Sequence, residues 1–260
     1  MFFLCFWMLF SSVRLQASLE AILFDCDGVI ADTERDGHRV AFNRAFAASG
    51  IDASWGIDLY GHLLEVGGGK ERMTAYWNEF GWPDCMENED ERQENVRQLH
   101  LLKTDIFNQM ILEGAIPLRP GVLRLVDEAI RCGVRLACCS TSSLDAVTNL
   151  IRTLMGDERA AYFSIFAGDM VPRKKPAPDV YLMAVHEMGL DISRCVVIED
   201  DSIGLAAAKA AGLSCVVTKS AYAALEDFTG ANMVVEDLGE DPATGVTIST
   251  LESLITSPVF

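Results

Sequence analysis

The sequence predicts an α/β protein: a three-layer core around a mostly parallel sheet, with an all-helical insertion. Three observations predict it. Short apolar runs recur along the chain and each stops at a polar cluster, as buried strands do. Amphipathic segments of helical period lie between them, the alternation that yields a parallel sheet covered on both faces. Between about residues 36 and 114 the apolar runs disappear and only helical periodicity is left.

The strands are expected at 19–24, 134–139, 163–167, 195–198, 214–217 and 233–235, and core helices at 121–131, 144–154, 179–188 and 202–211. Pro120-Gly121 marks the return to the core, and Gly133, Gly189 and Gly212 supply helix stops. Inside the insertion, 38–48, 59–66, 71–80 and 89–110 read as helices. In the last of these Val96, Leu99, Leu102, Ile106 and Met110 recur along one face and are expected to pack inside the insertion. Acidic residues at 87–91 suit its N-terminus. After Asp237 a loop carrying Gly239, Pro242 and Gly245 precedes a short final helix. The expected organisation is a core of 19–35 plus 115–260 and a helical cap of 36–114.

Residues 1–10 are almost wholly apolar and 11–18 turn polar. Ten residues fall short of the roughly 20 that span a bilayer. A signal-type segment with cleavage after Ala17 is the better match, although no basic residues precede it. Residues 1–18 are therefore set aside as a hydrophobic leader. Half of the 260 residues are hydrophobic, enough for a core, and the net charge of −17 argues against nucleic acid and anionic membrane as partners. A small-molecule substrate and a monomeric protein are expected. Of eight cysteines, Cys26, Cys138, Cys139, Cys195 and Cys215 lie in or beside expected strands, where they act as small apolar residues. No C-x-x-C pair occurs, so the composition suits a reducing compartment.

The chemistry concentrates at strand ends. The first run stops at Asp25-Cys26-Asp27-Gly28. Two carboxylates so close repel unless a cation joins them, which calls for Mg²⁺, with one Asp free to attack and the other to move protons. A calcium loop is excluded, since Val29 and Ile30 stand where a third ligand and a glycine would be needed. The second run stops at Ser140-Thr141-Ser142-Ser143, whose hydroxyls and free N–H groups suit either a phosphate cradle or a plain helix cap. Arg173-Lys174-Lys175-Pro176 is a cationic cluster in an acidic chain. Finally the run 195–198 ends in Glu199-Asp200-Asp201 before an Ala-rich helix, one acid of which would have sufficed for a cap.

Taken in order, D-x-D, S/T, K-P and E-D-D resemble the four motifs of the haloacid dehalogenase superfamily of phosphotransferases, over nearly the whole chain. The insertion after the first motif is similar to that superfamily's helical cap, and the core would then be Rossmann-like. Asp32-Thr33-Glu34-Arg35-Asp36-Gly37-His38-Arg39 and Gly67-Gly68-Gly69-Lys70-Glu71-Arg72 resemble the CbbY-type sugar-bisphosphate phosphatases, to which β-phosphoglucomutase is more distantly related. The resemblance implies Asp25 as nucleophile, Asp27 as acid and base, and Ser140 and Lys175 on the transferring phosphoryl group. It implies Mg²⁺ on Asp25, Asp200 and the Asp27 carbonyl, with Glu199 and Asp201 orienting its waters. Thr141 and Ser142 would assist in binding, Lys70 and Arg72 would reach a far phosphate, and Glu34 and Tyr60 would touch the sugar. The implied partner is a phosphosugar, with xylulose 1,5-bisphosphate first.

A P-loop at Gly69-Lys70 is excluded, because Leu64 and Glu71 occupy two of its required positions. Mutases of the group carry a histidine on the first cap helix. A gapless count from Asp25 puts Gly37 there and leaves His38 one place off, which favours a phosphatase over a mutase. His38, His62, His100 and His186 show no metal spacing and are assigned no catalytic role. Ser143 departs from the Asn frequent in relatives. The leader and the resemblance together suggest the plastid stroma, with the cytoplasm as the alternative.

Overall fold

A computed structural model describes residues 19–66 and 68–255; the leader expected at 1–18 lies outside them. Six strands, β1 (Ala21–Phe24), β2 (Arg135–Cys139), β3 (Phe163–Phe166), β4 (Cys195–Glu199), β5 (Ser214–Thr218) and β6 (Met233–Val235), form one parallel sheet in the order β3-β2-β1-β4-β5-β6. β1 lies between β2 and β4, so the strand order reverses beside it. In open sheets of this kind ligands gather in the crevice at the carboxyl ends beside that reversal.

Four helices follow β1: α1 (Arg39–Ala48), α2 (Ile57–Leu63), α3 (Gly69–Phe80) and α4 (Glu89–Leu112). The remaining helices alternate with the strands: α5 (Val122–Cys132), α6 (Leu144–Ala160), α7 (Asp179–Glu187), α8 (Ser202–Ala210) and α9 (Ile248–Ile255). Successive strand side chains point to opposite faces, and the packing follows that period. Ile22, Phe24, Leu136, Cys138, Val196 and Ile198 pack with α5, α6 and α9. Leu23, Ala137, Cys139, Val197 and Cys215 pack with α7 and α8. All four β1 residues are buried, and truncating Leu23 to Ala would cost about 2–5 kcal/mol.

The insertion has a hydrophobic cluster of its own, built on Phe42, Phe46, Trp55, Trp77, Met73 and Leu99. Trp55 packs between Phe42 and Phe46, with ring centroids 4.7 and 5.0 Å away. α4 starts with a capping box in which Asn88 and Glu91 satisfy each other's backbone N–H groups. Its buried face differs from the expected stripe. Val96, Leu99 and Met110 are buried as expected, but Lys103, Phe107 and Ile111 take the places of Leu102 and Ile106. The helix serves two clusters: Val96 and Leu99 join the insertion's, while Phe107, Met110 and Ile111 join the sheet's. Its buried face therefore shifts partway along. α6 also outruns its expected end at 154, continuing beyond a break at Gly156.

Among the described residues no helix is long and apolar enough to cross a membrane, and every cysteine is free.

Candidate active site

The site grows from the ends of β1 and β4. Asp25 follows β1 directly, and its N–H still donates to the Ile198 carbonyl of β4 at 2.9 Å, so the nucleophile candidate is aligned with the sheet. Asp200 follows β4. Because the two strands are neighbours, one oxygen each from Asp25, Glu199 and Asp200 lie within 4.8 Å of one another, all three residues being buried. Gly28 permits this approach. Its φ of +87° belongs to the left-handed region, and a Cβ there would sit 2.0 Å from Asp200 Oδ2.

Lys175 is the counter-charge. Its ammonium reaches Asp25 Oδ1 at 2.5 Å and Glu199 Oε1 at 2.7 Å. Burial alone would lower its pKa, but the two carboxylates outweigh that and hold it above the ordinary value. Burial raises the pKa of Asp25, opposed by Lys175 and reinforced by Glu199 and Asp27. Burial also raises Asp200, with Asp25 and Asp201 adding to the effect. One lysine thus leaves carboxylate charge uncompensated. Oxygen donors only, buried and short of positive charge, fit a hard divalent cation such as Mg²⁺. Asp25 and Asp200 would hold it. Asp201 instead caps α8, accepting the Gly204 N–H at 2.7 Å.

Asp27 is tethered on both sides. Its Oδ1 accepts from Thr33 Oγ1 at 2.7 Å, and its Oδ2 from Ser142 Oγ at 2.8 Å and Ser140 Oγ at 3.4 Å. The serines expected to cradle phosphate therefore bind the acid–base candidate here. Ser140 Oγ in turn accepts the Ser142 N–H at 3.0 Å. Thr141 lines the cleft, its carbonyl taking a hydrogen bond from Lys174 at 3.0 Å.

The cleft over these residues has a volume of about 630 Å³ and is walled by Asp25, Asp27, Glu34, Asp200 and Thr141, with Lys175 the sole lysine or arginine among its described lining residues. Neither Lys70 nor Arg72 lines it. Lys70 is exposed and faces an outer groove between α3 and α4. Arg72 is buried inside the insertion, donating to the Leu63 carbonyl at 3.0 Å and the Tyr60 hydroxyl at 2.8 Å. Tyr60 donates to Glu34 Oε2 at 2.6 Å. Glu34, Tyr60 and Arg72 are thus brought together as a chain that meets the cleft at Glu34. Burial raises the Glu34 pKa despite the Tyr60 hydrogen bond and Arg72 that lower it.

Several residues escaped sequence reasoning. Asp32 is buried, and its Oδ2 accepts the Ala221 N–H at 3.2 Å, fastening the start of the insertion to the loop after β5. Arg119 donates to carbonyls of Gly28, Thr218, Lys219 and Glu236, clamping the first motif to β5 and β6. Buried Tyr181 donates to Glu199. Lys103 lies 2.8 Å from His38 Nδ1 and over the faces of Phe42 and Phe107. Burial lowers both, Lys103 to about 8. Together they line a cavity of about 350 Å³ that Asp27 also borders. The gapless count misjudged this region. Residues Thr33–His38 form a π-helical turn, which places an extra residue in the turn. A Cβ at Gly37 would meet Phe107 Cε2 at 2.7 Å, whereas His38 lines the cavity beside Asp27.

Comparison with known proteins agrees with this geometry. Residues 19–212 match the haloacid dehalogenase-like hydrolase family. A CBBY-like protein of Arabidopsis thaliana is 51% identical over 246 residues, covering 94% of this chain and 77% of that protein. Protein CbbY of Cereibacter sphaeroides is 41% identical over 85% of this chain and 94% of its own length. The crystal structure of a mutant CbbY from Rhodobacter sphaeroides in complex with xylulose-(1,5)bisphosphate superposes with a TM-score of 0.66 at 41% identity, covering 84% of this chain and 94% of that one. The chain belongs to the haloacid dehalogenase-like hydrolases, as a CbbY-type phosphoric monoester hydrolase.

Proposed function

We propose that this protein hydrolyses a small sugar phosphate, with xylulose 1,5-bisphosphate the leading substrate, in a Mg²⁺-dependent reaction through an aspartyl-phosphate. The observation that carries the mechanism is Asp25, buried at the end of β1 and held by Lys175 at 2.5 Å, with Asp27 two residues on. The substrate rests on the bisphosphate complex of the CbbY relative.

An oxygen of Asp25 attacks phosphorus as the bond from phosphorus to the sugar oxygen breaks, and Asp27 gives that oxygen its proton. Asp27 then takes a proton from the water that cleaves the acyl phosphate, which restores Asp25 and releases phosphate. Lys175 and the Ser140 hydroxyl stabilise charge on the transferring oxygens. Mg²⁺, held by Asp25, Asp200 and the Asp27 carbonyl, would neutralise phosphoryl charge. Glu34, backed by Tyr60 and Arg72, meets the hydroxyls of the sugar from the cap side. Lys70 faces the outer groove and takes no part in the proposed reaction. Plastid stroma is the proposed compartment, on the plant source of the 51% identical relative.

A β-phosphoglucomutase-type reaction is the second reading, favoured by His38 and Lys103 on the cavity beside Asp27. One assay separates the two. Phosphate release from xylulose 1,5-bisphosphate should need Mg²⁺ and fall at least ~10⁴-fold in Asp25→Asn, as nucleophile removal does elsewhere. Glucose 6-phosphate formed from β-glucose 1-phosphate, with no release from the bisphosphate, would establish the mutase instead.

A further inference from the structure

We propose that Tyr181 is a positioning residue for Lys175, acting through Glu199; this rests on the reading of the site as a phosphatase. Tyr181 is fully buried in the first turn of α7, six residues after Lys175. Its hydroxyl donates to Glu199 Oε1, the same oxygen that Lys175 reaches at 2.7 Å. Its ring centre lies 5.0 Å from the Lys175 ammonium. The other Glu199 oxygen accepts the Asp200 N–H at 3.3 Å. α8 leaves room for this carboxylate only because residue 204 is glycine: a Cβ there would lie 2.0 Å from Glu199 Cδ.

Both oxygens of Glu199 are therefore engaged by this chain's own donors. Glu199 belongs to the carboxylate cluster beside Asp25 and also anchors Lys175. Two donors on one oxygen compete, because each weakens the acceptor available to the other. The Tyr181 hydroxyl moderates the pull of Glu199 on the ammonium, and the ammonium keeps its contact with Asp25. Without that hydroxyl, Glu199 draws Lys175 away from the oxygens that gain charge in the transition state, where a misplaced donor is felt most.

Tyr181→Phe keeps the ring and removes only the hydroxyl. On the phosphosugar it should lower kcat about 10-fold, with KM changed less than about 3-fold, because the loss falls on the transition state. In a Glu199→Gln background the same change should alter kcat by less than about 2-fold, the non-additivity expected of residues acting through one another. Additive effects, or a single variant with unchanged kcat, would overturn the proposal. A readout independent of turnover is the affinity for inorganic phosphate by calorimetry, expected to weaken about 3-fold or more in Tyr181→Phe through its charge-assisted contact with Lys175. A lowered Tm with unchanged phosphate affinity would reduce Tyr181 to packing. If the wild-type protein released no phosphate in an Asp25-dependent manner, the phosphatase reading would fail, and the calorimetric comparison would still decide the role of Tyr181.

Discussion

The crevice at the ends of β1 and β4 and the polar seam of the insertion handle buried charge in opposite ways. In the crevice, carboxylates outnumber the one lysine, and burial raises the pKa values of Asp25 and Asp200. In the seam, the ammonium of Lys103 is buried among aromatic faces with a histidine as its near partner, and its own pKa falls. A surplus of negative charge invites a cation, while a buried cation without a close carboxylate depresses its own ionisation. The crevice is thus arranged for metal and phosphoryl chemistry. The seam instead disfavours positive charge on its own groups.

Substitutions that exchange these characters test the contrast. The largest effect is expected of Asp25→Asn, and the next of Lys175→Met. It removes the charge shared by Asp25 and Glu199 and should lower kcat roughly 10²–10³-fold. Because it strands two buried carboxylates, it should also destabilise the metal-free protein by about 3–5 kcal/mol in denaturant titration. Unchanged stability would mean that those carboxylates are not both charged in the fold. On the seam side, Arg72→Met should lower kcat/KM for the phosphosugar about 10-fold, the usual worth of a charged hydrogen bond. It should leave p-nitrophenyl phosphate turnover alone, and equal losses on both would place Arg72 outside substrate recognition.

Two smaller effects concern stability. Asp200 has a raised pKa, so above its unfolded value the charged form costs the fold free energy. Asp200→Asn should therefore raise the Tm of metal-free protein at neutral pH by about 2–4 °C for each kcal/mol relieved. It should also abolish the upward Tm shift expected of Mg²⁺ in the wild type. For Lys103, folded pKa about 8 against an ordinary 10.5, the unfolded chain binds more protons between those values. Wild-type stability should thus rise with pH across that window relative to Lys103→Met, which itself should be more stable below pH 8. A stability difference that does not vary with pH would show that Lys103 titrates normally.

Legibility in the sequence divides along the same line. The crevice was readable because its carboxylates and serines sit within three residues of a strand end, and parallel neighbours bring strand ends together, whereas Lys175, nine residues past β3, was readable only as part of the K-P motif. D-x-D and E-D-D announced their own meeting. Even there the serines at 140 and 142 read as a phosphate cradle or a helix cap, since their bonds to Asp27 depend on the register of β1 with β2. The seam was not readable by spacing. Lys103 sits one residue from the apolar stripe that periodicity singled out, and α4 shifts its buried face as it passes from one cluster to the other. A π-helical turn puts His38, one place past the residue that the gapless count from Asp25 singled out, on the cavity beside Asp27. Lys70 and Arg72, two apart in one short motif, end on different sides of α3 because residues two apart on a helix do not share a face.

The hydroxyl of Ser142 has one hydrogen to give, and Asp27 receives it. An incoming oxyanion that attracted that hydrogen would take it from the carboxylate, leaving Asp27 with its bond to Thr33 as its firmest restraint. On the proposed mechanism, arrival of the phosphoryl group and release of Asp27 would then be one event. In the proposed reaction the one hydrogen of Ser142 would couple the two, and no rearrangement of the sheet is required of it.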